Sequence, residues 1–194
     1  MEQFLITVGY IGIFAIIFAE SGLLIGFFLP GDSLLFTAGF LASLPDAQFS
    51  LPVLLAGCFL AAVIGDSVGY AFGRRVGRRL FLRENSLFFN QRNLERAEIF
   101  YKRHGGKAIV LARFMPVIRT FAPIVAGIGA MEYRHFVAFN ILGGFLWAVG
   151  LVAAGFYLGS AIPDVDRYLL PIIALIVLIS VLPALVHLIR GHKS

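Results

Sequence analysis

Apolar residues fill six stretches of this chain, 4–29, 34–44, 51–72, 108–131, 136–162 and 169–189, separated by short polar or charged segments. A helix needs about 20 apolar residues to cross the hydrocarbon core of a bilayer. Stretches 51–72, 136–162 and 169–189 meet that length and read as spanning helices. Stretch 34–44 is roughly half as long and cannot cross alone. It follows Leu29-Pro30-Gly31-Asp32, which ends one helix and lets another begin with Asp32 as its cap. Residues 9–50 are therefore expected to form a re-entrant hairpin: a helix enters, turns at Pro-Gly, and a short helix returns. Residues before about Tyr10 are expected to form an interfacial helix, because the first stretch is longer than a hairpin arm requires.

Charge distribution extends the argument to topology. Between Arg74 and Lys107 there are ten Lys/Arg against three Glu. Such a segment reads as a positive-inside cytoplasmic loop, here 73–107. Stretch 108–131 leaves that loop and ends at Glu132-Tyr133-Arg134-His135, again with a basic residue. With both flanks cytoplasmic it has to turn back, and Pro116 and Pro123 offer places to turn. Stretch 136–162 then leads to the acidic Pro163-Asp164-Val165-Asp166 on the outer side, and 169–189 returns to a basic C-terminus, also cytoplasmic. The expected fold class is an all-α integral membrane protein. Two oppositely oriented re-entrant hairpins (9–50 and 108–131) are each followed by a spanning helix (51–72 and 136–162), with an additional C-terminal span at 169–189. Inverted repeats of this kind place a transporter's site at their interface near the midplane.

Composition narrows the class. The 194 residues are 59% hydrophobic and 14% charged, whereas soluble domains run near 25% charged. With no Lys or Arg ahead of its first apolar stretch, the N-terminal segment reads as retained structure rather than a signal peptide. A single cysteine, Cys58, excludes an intrachain disulfide and reads as a packed thiol. The net charge of +5 is concentrated in a loop tethered between membrane segments. Nucleic-acid binding is a poor fit to that placement, and contact with anionic headgroups a natural one.

Four charges interrupt the apolar stretches and surround two prolines. Glu20 and Asp32 flank Pro30-Gly31, while Arg113 and Arg119 flank Pro116. A charge at membrane depth costs a few kcal/mol, about 2.5–3.5 on insertion scales, and marks a functional pathway or a pairing partner. Arginine binds phosphate through a planar fork of donors, so Arg113 and Arg119 are the candidate phosphate ligands. Glu20 lies among Phe18, Ala19, Leu23 and Leu24, where burial disfavours its ionised form and lets it load and release protons. Asp32 shares that role unless it serves only as a helix cap. The plain alternative is a structural clasp pairing the two carboxylates with the two arginines.

Other residues carry weaker signals. Gly65, Gly69, Gly73 and Gly77 stand at spacing four and suit close helix packing, as do Gly22 with Gly26 and Gly155 with Gly159. Asp66 lies beside that ladder, and it joins Arg103 and Asn140 as adjunct site residues. Asn140 suits a hydrogen bond between helices. His104 has no companion at metal-ligand spacing, so no metal is expected, and no cofactor. No Gly-x-Ser-x-Gly, His-Glu-x-x-His or Walker-type loop is present, and an enzyme is the weakest class.

Read in order, Glu20, Gly26 and Pro30-Gly31-Asp32, then Gly65-Asp66, Gly69-Tyr70 and Gly73-Arg74, form two of the blocks. Arg103-His104-Gly105-Gly106, Ala112-Arg113-Phe114, Pro116, Arg119-Thr120-Phe121, Pro123 and Ala126-Gly127 form a third, completed by Phe139-Asn140, Gly143 and Trp147. Over roughly 9–160 this series resembles the DedA family, the SNARE-associated or VTT-domain membrane proteins. The resemblance implies paired re-entrant hairpins and a bacterial inner-membrane location. It further implies movement of lipids between leaflets, notably undecaprenyl phosphate, dependence on proton-motive force, and essential roles at Glu20, Asp32, Arg113 and Arg119. The expected partners are a membrane lipid, either a polyprenyl phosphate or a phospholipid, and protons. The rival functions are a proton-coupled antiporter of small ions or drugs, and a non-transporting assembly factor with the charges as a clasp. Oligomeric state, a homo-oligomer included, is left open by the sequence.

Overall fold

The computed structural model describes residues 2–23, 30–77, 99 and 103–161. The regular structure among them is helical. Helix α1 is Glu2–Gly22, α2 is Gly31–Leu41 and α3 is Leu51–Phe72, which runs on into a π-helical turn at Gly73–Gly77. Helix α4 is Lys107–Ala112 and α5 is Pro116–Ile128. Helix α6, Tyr133–Gly144, continues through a π-helical turn, Phe145–Val149, into α7, Gly150–Ala161. The expected span 169–189 and most of the basic loop 73–107 lie outside the described residues.

Among the described residues two helices are long and apolar enough to cross a bilayer: Leu51–Val76, with 26 residues, and Tyr133–Ala161, with 29, each of mean hydropathy 2.0. At 1.5 Å per residue, α2, α4 and α5 reach only about 16, 9 and 20 Å, short of the roughly 30 Å hydrocarbon core. Three details differ from the sequence reading. Helix α1 runs unbroken from Glu2, because nothing in it interrupts the backbone ladder near Tyr10, whose ring instead packs on Phe14 and Phe49. Asp32 does not cap α2: the helix begins two residues earlier than that cap implies, with Pro30 as its N-cap and no side-chain cap bond. Pro123 is not a turn but lies buried inside α5, and the chain bends at Arg113–Met115 instead.

Glycine sets the packing. Helices α1 and α3 run parallel, with Gly9 beside Phe49, Phe14 over Gly57 and Gly22 against Gly65. Helix α4 lies parallel to α6, Gly106 facing Phe139 and Gly143 facing Val110. Helices α3 and α6 are antiparallel neighbours, since Phe59 meets Phe145 and Tyr70 meets Phe136. The two short helices then dock reciprocally. Helix α2 packs on α7 through Gly39, Gly155 and Gly159, while α5 packs on the last turns of α3 through Gly73 and Gly127. A side chain at any of these five glycines would run into the facing helix, the small-residue packing that lets helices associate in lipid.

Many large apolar side chains face outward. Val53, Leu60, Ile64, Val68 and Phe72 form an exposed ridge along α3, and Ile141, Leu142, Phe145, Leu146, Tyr157 and Leu158 do so along the second long helix. Meanwhile the buried set includes Glu20, Asp66, Arg113 and Asn140. An apolar exterior around a charged interior is the arrangement of a membrane protein, not of a water-soluble one.

Overpacking a tight helix contact costs about 1–3 kcal/mol. Gly155→Val, pressing on the Phe36 carbonyl, is expected to lower thermal stability in detergent by that amount. Gly12→Ala, whose Cβ meets nothing within 4 Å, is expected to be neutral or stabilising by up to about 1 kcal/mol. Equal unfolding midpoints for the two variants would contradict the packing described.

Candidate functional site

The charged interior is built from six elements. Glu20 stands in the last turn of α1 and Asp32 in the first turn of α2. Gly31 makes their approach feasible, because a Cβ there would occupy the Glu20 carboxylate. Arg119, on α5, spans both: Nη2 donates to Glu20 Oε1, and Nη1 donates to Asp32 Oδ1 at 2.6 Å. One arginine therefore ties three helices together.

Arg113, in the bend between α4 and α5, makes a different set. Its Nη2 donates to Asp66 Oδ2 on α3 and to Asn140 Oδ1 on α6, the latter at 2.9 Å. Asn140 Nδ2 in turn donates to the Val63 carbonyl at 3.0 Å, fixing the amide. Gly143 and Gly144 leave room for the Arg113 side chain, and a Cβ on Gly144 would sit 2.7 Å from Nη1. Asp66 is 4% exposed and Arg113 4%, so neither charge is matched by water.

Trp147 joins the two groups. Its Nε1 donates to Asp32 Oδ1 at 2.7 Å. Its ring lies 4.8 Å from the Arg119 guanidinium carbon and 5.7 Å from that of Arg113, within the range of cation–π attraction. The π-helical turn Phe145–Val149 carries this tryptophan; such turns are frequent at functional sites.

Three buried polar atoms have no hydrogen-bond partner among the described residues: Glu20 Oε2, Arg113 Nη1 and Arg119 Nε. Of these three residues, Arg113 lines a cavity of about 340 Å³, together with Asp32, Phe114, Leu146, Trp147, Gly150 and Leu151. The Asp32 side chain is 46% exposed, whereas that of Glu20 is 1% exposed. Asp32 and Arg113 thus present a carboxylate and a guanidinium to one space.

Of the residues singled out in the sequence, Glu20, Asp32 and Arg119 meet in one group, and Arg113, Asp66 and Asn140 in the other. Arg103 is exposed before α4 and makes none of the contacts of this cluster. Sequence reasoning missed Trp147 as the bridge; the only signal was that it is the chain's single tryptophan, inside an apolar stretch. No group of three or more His, Cys, Asp or Glu suited to a metal occurs among the described residues.

Removing one member of a buried ion pair costs about 3–5 kcal/mol, because the other charge is stranded. Asp66→Ala and Arg113→Ala are each expected to destabilise the purified protein by that order. The double replacement should cost less than the sum of the two. Additive losses in thermal unfolding would contradict the pairing.

Comparison with known proteins identifies the family. The VTT domain matches residues 29–157. Protein DedA of Escherichia coli K12 is 46% identical over 185 residues, covering 95% of this chain and 84% of that protein. An uncharacterized membrane protein of Mycobacterium leprae is 44% identical over 92% of this chain and 79% of its own length. Inner membrane protein YghB of Escherichia coli K12 is 36% identical over 86% of this chain and 75% of its own length. No solved structure matches. With an apolar exterior, two membrane-length helices and this extent of identity, the chain is a membrane protein belonging to the DedA family of VTT-domain proteins.

Proposed function

We propose that this protein moves a lipid phosphate between membrane leaflets, with undecaprenyl phosphate as its substrate and protons as the coupling ion, in the bacterial inner membrane. The cavity lined jointly by Arg113 and Asp32 carries the reading. It sets a phosphate-binding cation and an accessible carboxylate on one wall, inside a membrane protein. A cation antiporter has no use for a guanidinium at that wall, which would repel its substrate.

The two arginines divide the work. Arg119 is matched by two carboxylates and acts as the clasp that holds α1, α2 and α5 together. Arg113 faces the cavity and has Nη1 without a partner among the described residues, so it receives the phosphate. Charge counting supports proton coupling. Three carboxylates, Glu20, Asp32 and Asp66, face two guanidiniums, so the cluster balances when one carboxyl is protonated. An entering phosphate adds negative charge and competes with Asp66 for Arg113. Proton uptake, with Asp32 the most accessible acceptor, then offsets the excess.

Short helices fit the same scheme. In this reading α1–α2 and α4–α5 are re-entrant hairpins entering from opposite sides. The reciprocal docking of α2 on α7 and of α5 on α3 supports an inverted repeat. The basic segment and the C-terminus are then cytoplasmic.

Purified protein in liposomes should move labelled undecaprenyl phosphate between leaflets, faster with an imposed proton gradient. Arg113→Ala should slow that movement at least tenfold, and Arg113→Lys should restore part of it by keeping the charge without the fork. Transport by the Arg113→Ala protein at the wild-type rate would sink the assignment.

A further inference from the structure

A second cavity lies at the C-terminal end of α3, and shares no residue with the first. It measures about 510 Å³ and is lined by Ser67, Tyr70, Ala71, Arg74, Arg75 and Tyr133. Both arginines belong to the π-helical turn Gly73–Gly77, where the apolar helix ends. Arg74 and Arg75 are exposed, yet Arg74 is held: its Nη1 donates to the Tyr70 hydroxyl at 3.3 Å.

That hydroxyl is itself fixed. Tyr70 is 2% exposed, its ring stacks on Phe136 at 4.6 Å, and its O–H donates to the Met131 carbonyl. The carbonyl is set by the end of α5, where Met131 N–H donates to the Ala126 carbonyl and Ala130 N–H to that of Gly127. This is a Schellman closure that holds Ala130 at φ 51°, a left-handed conformation that costs a non-glycine residue about 1–2 kcal/mol. A solvated surface arginine needs no such support. A guanidinium pinned through a buried tyrosine to a helix end is pre-organised for an anion.

We infer that Arg74 and Arg75, with Tyr70 as the positioning residue, form a second phosphate site, taking a phosphate monoester at the membrane surface before or after it visits Arg113. Two adjacent guanidiniums match a dianion, and the exposed Tyr133 ring gives an interfacial wall suited to a headgroup. Asp66 and Arg74 are eight residues apart on α3, about 12 Å along the helix axis. The site therefore sits just over two turns from Asp66, the partner of Arg113, on the same helix. A lipid as the source of the phosphate rests on the transport reading; the phosphate site itself does not.

Equilibrium binding of fluorescent short-chain phosphatidic acid to the full protein in nanodiscs of zwitterionic lipid tests this without measuring transport. Wild-type protein should show two saturable sites, and Arg74→Ala combined with Arg75→Ala should remove one or weaken it at least tenfold. Tyr70→Phe should weaken the same site about two- to fivefold, leaving the charges in place. Arg113→Ala protein should keep it. Inorganic phosphate as competitor separates the sources: displacement only by lipid identifies a headgroup site, and displacement at equal concentration identifies a free-phosphate site. Binding unchanged by the double replacement would overturn the proposal, as would a single site lost in Arg113→Ala. Normal transport by Arg113→Ala protein would instead strike at the proposed function and leave this site standing.

Discussion

A guanidinium withdrawn from water must find its countercharges inside the protein, and Arg119 finds two. Its pairing with Glu20 and Asp32 closes α5 against α1 and α2. Taking each ion out of water costs several kcal/mol, recovered only with good geometry and further hydrogen bonds. The fold supplies these through glycine. Gly31 admits the Glu20 carboxylate, and Gly143 and Gly144 admit Arg113. Without such approaches the helices would stand too far apart for these side chains to meet.

The proposed function rests on an inequality within the cluster. Trp147 touches both guanidiniums and Asp32, so the two groups share one wall. Arg119 is doubly matched, whereas Arg113 has one carboxylate, one amide and an open cavity. In the proposed mechanism the doubly matched arginine holds the architecture while the singly matched one exchanges partners. An anion that takes Arg113 from Asp66 leaves a carboxylate for a proton to neutralise. In this proposal coupling needs no separate device, since the charge balance of the cluster supplies it.

Much of the cluster was legible in the sequence because charge inside an apolar run is costly and therefore informative. Glu20, Asp32, Arg113 and Arg119 stood out on that ground alone. Their pairing was not legible. Asp66 sits on an unbroken helix beside a glycine ladder, where nothing distinguishes a helper from a principal partner. It became Arg113's carboxylate because α3 and α6 are antiparallel neighbours, a tertiary fact. Trp147 was hidden for a related reason: an aromatic in an apolar run reads as core. The π-helical turn that carries it has no hydrophobic periodicity to announce it. Asp32 misled in a third way. Asp after Pro-Gly is a good cap by local chemistry, but Arg119 and Trp147 compete for the same oxygen, and a charged donor is the stronger partner.

The most direct test of this division of labour is an experimental structure in a lipid nanodisc with undecaprenyl phosphate bound. That division predicts the phosphate within hydrogen-bonding distance of Arg113, with Asp66 displaced from that guanidinium and the Arg119 pairs with Glu20 and Asp32 intact. A phosphate held on Arg119 with the Arg113–Asp66 pair unbroken would contradict it.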